Sequence, residues 1–250
     1  MPLSLSTRVL AEGPERLGLG AERARALGFA SVHAARPPKD AAKARETLVR
    51  LGLSLSSLEA PVPERMDAIE EVMALAAAPA ALLKRPLIVL DLQALVPGPR
   101  ESAEGAIVRL SRILHGLYAR WPGLWVAIRA AHRPGRLLGH RETEWLLSDN
   151  PGKPLGLWLD PARALALHRA DAGPPPLDGA DRFAARVLGV SIHGLGDGPG
   201  HAPPLETGLD WGTLRGLLPT HAPRVLDVGP SMADGDLVDV RREFEEVLGY

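Results

Sequence analysis

The chain has 250 residues, 46% of them hydrophobic, with 29 basic side chains against 30 acidic ones. Such a chain can bury a sizeable core, and its near-zero charge gives no general field for nucleic acid or an anionic membrane. It has no cysteine, which excludes disulfides, thiolate zinc sites and cysteine nucleophiles.

The start, MPLSLSTRVL, lacks the basic and apolar regions of a secretory signal. The longest apolar run, Val72 to Leu83, is broken by Pro79 and too short for a bilayer. The expectation is a cytoplasmic protein with no membrane or nucleic-acid partner, its oligomeric state left open.

Short apolar runs alternate with helical patterns from end to end. The predicted strands are Leu3–Ser6, Phe29–His33, Leu53–Leu58, Leu87–Leu92, Leu124–Arg129, Leu155–Asp160, Leu188–His193 and Arg224–Val228. Most are continuously apolar, which favours strands covered on both faces, as in a parallel sheet. Between them, helical spacing predicts helices over Pro14–Leu27, Lys39–Leu51, Pro63–Leu83 and Glu101–Tyr118. Weaker patterns follow at His140–Leu147, Pro161–His168, Ala180–Arg186, Asp210–Leu217 and Asp236–Leu248. Gly28 and Gly52 end the first two helices.

Eight strands, each followed by a helical segment, make units of about thirty residues, the size of a βα unit in a closed barrel. An open doubly wound sheet is the rival, but Thr7-Arg8-Val9-Leu10 after the first strand is not a glycine-rich phosphate turn. The expected fold is α/β, a single (β/α)8 TIM barrel forming one domain over residues 1–250.

Active sites of such barrels lie at the C-terminal strand ends. Those ends carry His33 after strand 2, Glu59 after strand 3, and Asp91 and Gln93 after strand 4. Strand 5 gives Arg129, with His132 beyond; strand 6 gives Asp160 and Arg163; strand 7 gives His193; strand 8 gives Asp227. The loop after strand 7 adds Asp197, His201 and Glu206. A polar mouth on an apolar barrel is the expected result.

Three stretches carry a resemblance to a known family. These are LGLWLDPARAL (155–165), VSIHGLGDG with HAPPLETGLDW (190–211), and RVLDVGPS (224–231); LGLSLSSLEAP (51–61) is similar in style. The chain resembles the xylose isomerase-like barrels, which comprise sugar isomerases and epimerases, with endonuclease IV-type DNA-repair enzymes as relatives. The resemblance implies a divalent metal held by Glu, Asp, His and Glu after strands 5, 6, 7 and 8. The two glutamates also move a proton between neighbouring sugar carbons. Here those positions hold Arg129, Asp160, His193 and Asp227, and the histidine of the strand-6 motif is Arg163.

These departures change the expected chemistry. Exchanging the strand-5 carboxylate for a guanidinium reverses its charge, and a cation about 5 Å from a divalent ion costs several kcal/mol. Arg129 and Arg163 are therefore expected to pair with Asp160 and Asp227, an ion-pair cluster in the place of the metal. Asp227 is also one methylene shorter than glutamate.

The expected function is a sugar isomerase/epimerase-like protein taking a small polyhydroxylated ligand, neutral or anionic, with an altered, metal-poor site. The alternative is a binding or regulatory barrel without catalysis; an endonuclease ranks below both. Asp227 and His193 are the candidate catalytic residues. Arg129, Arg163, Glu59, Asp91, His33 and Glu206 are the candidate ligand contacts. No cofactor is expected beyond one divalent cation (Mn²⁺, Mg²⁺ or Zn²⁺), should Asp160, His193 and Asp227 suffice to hold it. Blander roles stand beside these: a buried histidine at position 193, a helix cap at Asp160, and a structural salt bridge between Asp227 and Arg129.

Overall fold

A computed structural model describes residues 3–10, 17–38, 40–61, 87–92, 102–129, 140–195, 204 and 208–249. Eight parallel strands close into a barrel, each hydrogen-bonded to the next and β8 to β1. They are β1 (Ser4–Ser6), β2 (Ser31–Ala34), β3 (Ser54–Pro61), β4 (Leu87–Asp91), β5 (Trp125–Arg129), β6 (Leu155–Leu159), β7 (Val187–Ile192) and β8 (Arg224–Leu226).

The described helices are α1 (Leu17–Ala26), α2 (Ala41–Leu51), α3 (Ala103–Arg120), α4 (His140–Asp149), α5 (Pro161–Arg169), α6 (Asp178–Arg182), α7 (Trp211–Leu217) and α8 (Asp234–Val247). Their ends follow from local chemistry. Asp40, Ser102, Asp160 and Asp210 accept hydrogen bonds from first-turn amides, and Pro161 opens α5 where its missing N–H costs nothing. Gly52 caps α2 at φ 64°, a left-handed conformation that glycine adopts without strain.

Two predicted elements need correction. The segment 180–186 is not one helix: α6 ends at Arg182, and Ala184–Arg186 forms a 3₁₀ turn. Strand β3 runs on to Pro61, so Glu59 lies within the strand rather than after it. The helix expected over Pro63–Leu83 lies outside the described residues.

The larger apolar cluster packs strand residues such as Leu5, Val32, Ile128 and Ile192 against helix residues such as Leu48, Leu110, Leu214 and Phe244. A second, smaller cluster, Leu87, Val89, Ala127, Trp158, Leu188 and Val225, is separate from it. Counting by two from these residues along three strands reaches Asp91, Arg129 and Asp160, because side chains alternate between strand faces. The residues that bury the small cluster thereby aim charged groups at the mouth. Among the described residues, no helix is long and apolar enough to cross a membrane.

Candidate active site

The buried mouth holds two linked groups. The first centres on Glu59, whose carboxylate sits 2.7 Å from Arg129 Nη1 and accepts from Arg8 Nη2 at 2.9 and 3.1 Å. Arg8 also donates through Nε to Asp227 at 3.1 Å, so one guanidinium bridges β3 and the end of β8. Arg129 donates through Nη2 to Ser191 Oγ at 3.2 Å and lies 3.9 Å from the Asp91 carboxylate. Its guanidinium carbon is 5.9 Å from the centre of the Trp158 ring, within cation–π range.

Trp158 fixes this group from below. Its indole N–H donates to Ser191 Oγ at 2.9 Å, and its ring stacks on His33 at 5.4 Å. Gly189 makes the space: a Cβ there would stand 2.2 Å from Trp158 Cζ3. His33 in turn meets Ser57 Oγ at 2.8 Å through Nδ1, while its Nε2 lies 3.6 Å from Glu59 Oε2, beyond hydrogen-bonding distance.

The second group is His193 with Asp160. His193 Nε2 is 2.8 Å from Asp160 Oδ1, and its Nδ1 is 2.9 Å from the Gly194 carbonyl. A carbonyl and an ionised carboxylate only accept, so this geometry favours a proton on each ring nitrogen of His193. Asp160 also accepts from the Arg163 amide at 3.1 Å, and Arg163 Nε lies 3.4 Å from its other oxygen. The capping and site roles of Asp160 therefore coexist.

The electrostatics follow from these pairings. Burial would raise the Glu59 carboxyl, but Arg129, His33 and Arg8 outweigh it and hold its pKa at about 2. Burial would lower the His193 pKa, yet Asp160 foremost, then Asp227 and the Gly194 carbonyl, carry it upward. Arg8 is held protonated chiefly by Asp227, with Glu59 adding to it, against burial. Burial also opposes the charge on fully buried Arg129, and Glu59 leads the carboxylates that retain it.

Several sequence expectations change at this point. The structure brings together His33, Glu59, Asp91, Arg129, Asp160, Arg163, His193 and Asp227 at the mouth. The expected partners are partly exchanged, however. Arg163 does pair with Asp160, but Arg129 bonds Glu59, and Asp227 is bonded by Arg8. The register explains the exchange, since Arg129 sits beside Asp91 across β4 and β5, on the side of the barrel facing β3. Gln93, His132, Asp197, His201 and Glu206 lie outside the described residues.

Arg8 is the residue that sequence reasoning missed. It follows β1 in a 3₁₀ turn, Thr7–Val9. Counting by two from Ser4 and Ser6 reaches it, the same parity rule that finds Arg129 and Asp91. Ser57, Ser191 and Trp158 were missed as polar partners because a serine or tryptophan inside an apolar run gives no signal without its neighbours.

The four positions at which the resemblance places a divalent metal do not fit one. Arg129 brings a buried cation to the first of them. Both ring nitrogens of His193 face protein oxygens, the Gly194 carbonyl and the Asp160 carboxylate. Among the described residues, no three His, Asp or Glu side chains gather as a metal donor set.

No model of a known protein family matches the chain, and no curated protein matches it in sequence. Solved structures do match. A D-psicose 3-epimerase, crystallised in the presence of D-fructose, aligns over 100% of both chains with a TM-score of 0.72 and 13% identity. The probable 3-DHS dehydratase AsbF of Bacillus anthracis aligns over 97% of this chain and 98% of its own, with a TM-score of 0.70 and 15% identity. A xylose isomerase domain-containing protein of Salmonella typhimurium aligns over 98% and 96%, with a TM-score of 0.68 and 13% identity. At such identities the likeness is one of fold, and the epimerase and the dehydratase show that this fold serves more than one reaction.

Proposed function

We propose that this chain, whose fold is that of the xylose isomerase-like TIM barrels, is a sugar isomerase/epimerase-like protein. It takes a small polyhydroxylated ligand at the C-terminal mouth of one barrel domain over residues 1–250, and it works without a divalent metal. The observation that carries the reading is the 2.7 Å pair of Arg129 and Glu59. It puts a fixed cation at the mouth, where charge develops on a sugar carbonyl during proton transfer.

Asp227 is the carboxylate that accepts a proton, and His193, whose Nε2 faces Asp160, is the donor. Arg129, Arg163, Glu59, Asp91 and His33 contact the ligand's hydroxyls. A second reading, binding without turnover, is favoured by one feature of the same network. Glu59, Asp160 and Asp227 each already hold a cationic partner, which weakens each as a base.

The test is to incubate the chelated full chain with D-fructose, D-psicose, D-tagatose and L-ribulose in D₂O. Binding is followed by thermal shift and deuterium entry into the sugar by NMR. Deuterium incorporation supports turnover. Binding without incorporation supports the second reading, and no binding of any of these sugars contradicts both.

A further inference from the structure

We infer that Arg8 anchors the bound molecule: its Nη1 donates to a ligand oxygen while its other nitrogens hold the carboxylates of Glu59 and Asp227. This rests on the proposed sugar-like ligand at the mouth and adds to it a contact that follows β1.

An arginine carries five N–H donors on three nitrogens. In Arg8, Nε donates to Asp227 at 3.1 Å, and Nη2 donates to the two Glu59 oxygens at 2.9 and 3.1 Å. Among the described residues nothing accepts from Nη1, and that nitrogen is open to solvent. Arg129 differs. It grips Glu59 from the buried side, with its side chain 1% exposed against 31% for Arg8. Of the two guanidinium groups on Glu59, Arg8 is therefore the one that an entering molecule reaches.

The turn that carries Arg8 is already pinned. Its own amide donates to Ser6 Oγ at 3.2 Å, and the Ala35 amide donates to Thr7 Oγ1 at 3.0 Å. Gly20 packs so closely on the turn that a Cβ there would stand 2.9 Å from Thr7 Cγ2. With the backbone held and two carboxylates on the guanidinium, little side-chain freedom is left to lose on binding. Nη1 is a separate corner of the same rigid plane. One guanidinium thus fixes a ligand oxygen relative to Asp227, the carboxylate proposed to take the proton.

The experiment measures binding of D-fructose, D-psicose, D-tagatose and L-ribulose by calorimetry to the full chain as wild type, R8K and R8A, each below its melting temperature. Alongside it, wild-type crystals are soaked with the sugar that binds most tightly. R8K keeps a cation for the two carboxylates but has no separate nitrogen for the ligand. The expected result is about tenfold or greater loss of affinity in both variants, as for losing a hydrogen bond from a charged donor. In the soaked crystal, a sugar oxygen should lie within hydrogen-bonding distance of Arg8 Nη1. A lowered melting temperature with wild-type affinity would make Arg8 purely structural and overturn the inference. A bound sugar that leaves Nη1 in solvent would also overturn it, whether or not the variants fold, and in both cases the sugar-like ligand stands. If the wild type binds none of these sugars, the proposed ligand and the role of Arg8 fall together.

Discussion

The Arg129 guanidinium and the Glu59 carboxylate meet at 2.7 Å, joining β5 to β3 inside the barrel mouth. Both residues are buried, and Glu59 is shared with Arg8, which reaches on to Asp227. Three strand ends that could each present an independent charge are thereby tied into one network. Its members depend on one another, because a buried charge deprived of its partner is far more costly than the intact pair is favourable.

That dependence predicts the outcome of breaking the pair. R129L should destabilise the fold by about 3–5 kcal/mol, the usual effect of removing one partner of a buried ion pair. Glu59 keeps Arg8 as a partner in R129L, so adding E59Q should cost less than E59Q does alone, because the Arg129–Glu59 pair is then already broken. Denaturant unfolding of the two single variants and the double variant measures the coupling. Strictly additive losses would show that the two side chains do not act as a pair.

Acid should act on the same link. The Glu59 pKa lies at about 2 in the fold, below its ordinary value of 4.5. A carboxylate depressed by folding contributes stability above its unfolded pKa, and that contribution is lost as the pH falls through the folded value. A difference of this size corresponds to about 3 kcal/mol, lost between about pH 5 and pH 2. Unfolding free energies across that window should decline less steeply in E59Q than in the wild type. Parallel slopes would place the acid-sensitive group elsewhere.

Trp158 and Gly189 form a steric couple beneath the network. A methyl group in G189A would meet the Trp158 ring at 2.2 Å from Cζ3, forcing the indole off Ser191 and His33. A loss of about 1–3 kcal/mol is expected, as for overpacking elsewhere. W158F should relieve part of it in the double variant, because the phenyl ring is smaller. At Gly156, a Cβ would stand 2.1 Å from the Arg186 carbonyl oxygen, so G156A has no such side-chain remedy. Thermal melts of these four variants compare the two sites.

How much of this was legible in the sequence differs from residue to residue. The barrel was, because seven of the eight apolar runs each release an ionisable residue near the same end, and burial on both faces leaves that pattern in a single strand. His193 with Asp160 was partly legible, since each ends an apolar run. The partner choices were not. Which carboxylate Arg129 meets depends on strand register, and β3 extends to Pro61, bringing Glu59 beside Val89. A run ending at Leu58 gave no hint of that length. Arg8 escaped because β1 is only three residues long, and the turn after it carries the arginine in a stretch with no glycine or proline to mark it.

The central claim is that a protein cation, Arg129, occupies the role that a divalent metal would otherwise take. The most direct measurement is a manganese titration of the chelated wild type beside R129E, read by calorimetry. The account predicts no binding by the wild type up to about 1 mM Mn²⁺, an affinity of about −4 kcal/mol or weaker, and measurable binding by R129E. One equivalent of Mn²⁺ held by the wild type at micromolar concentration would contradict it.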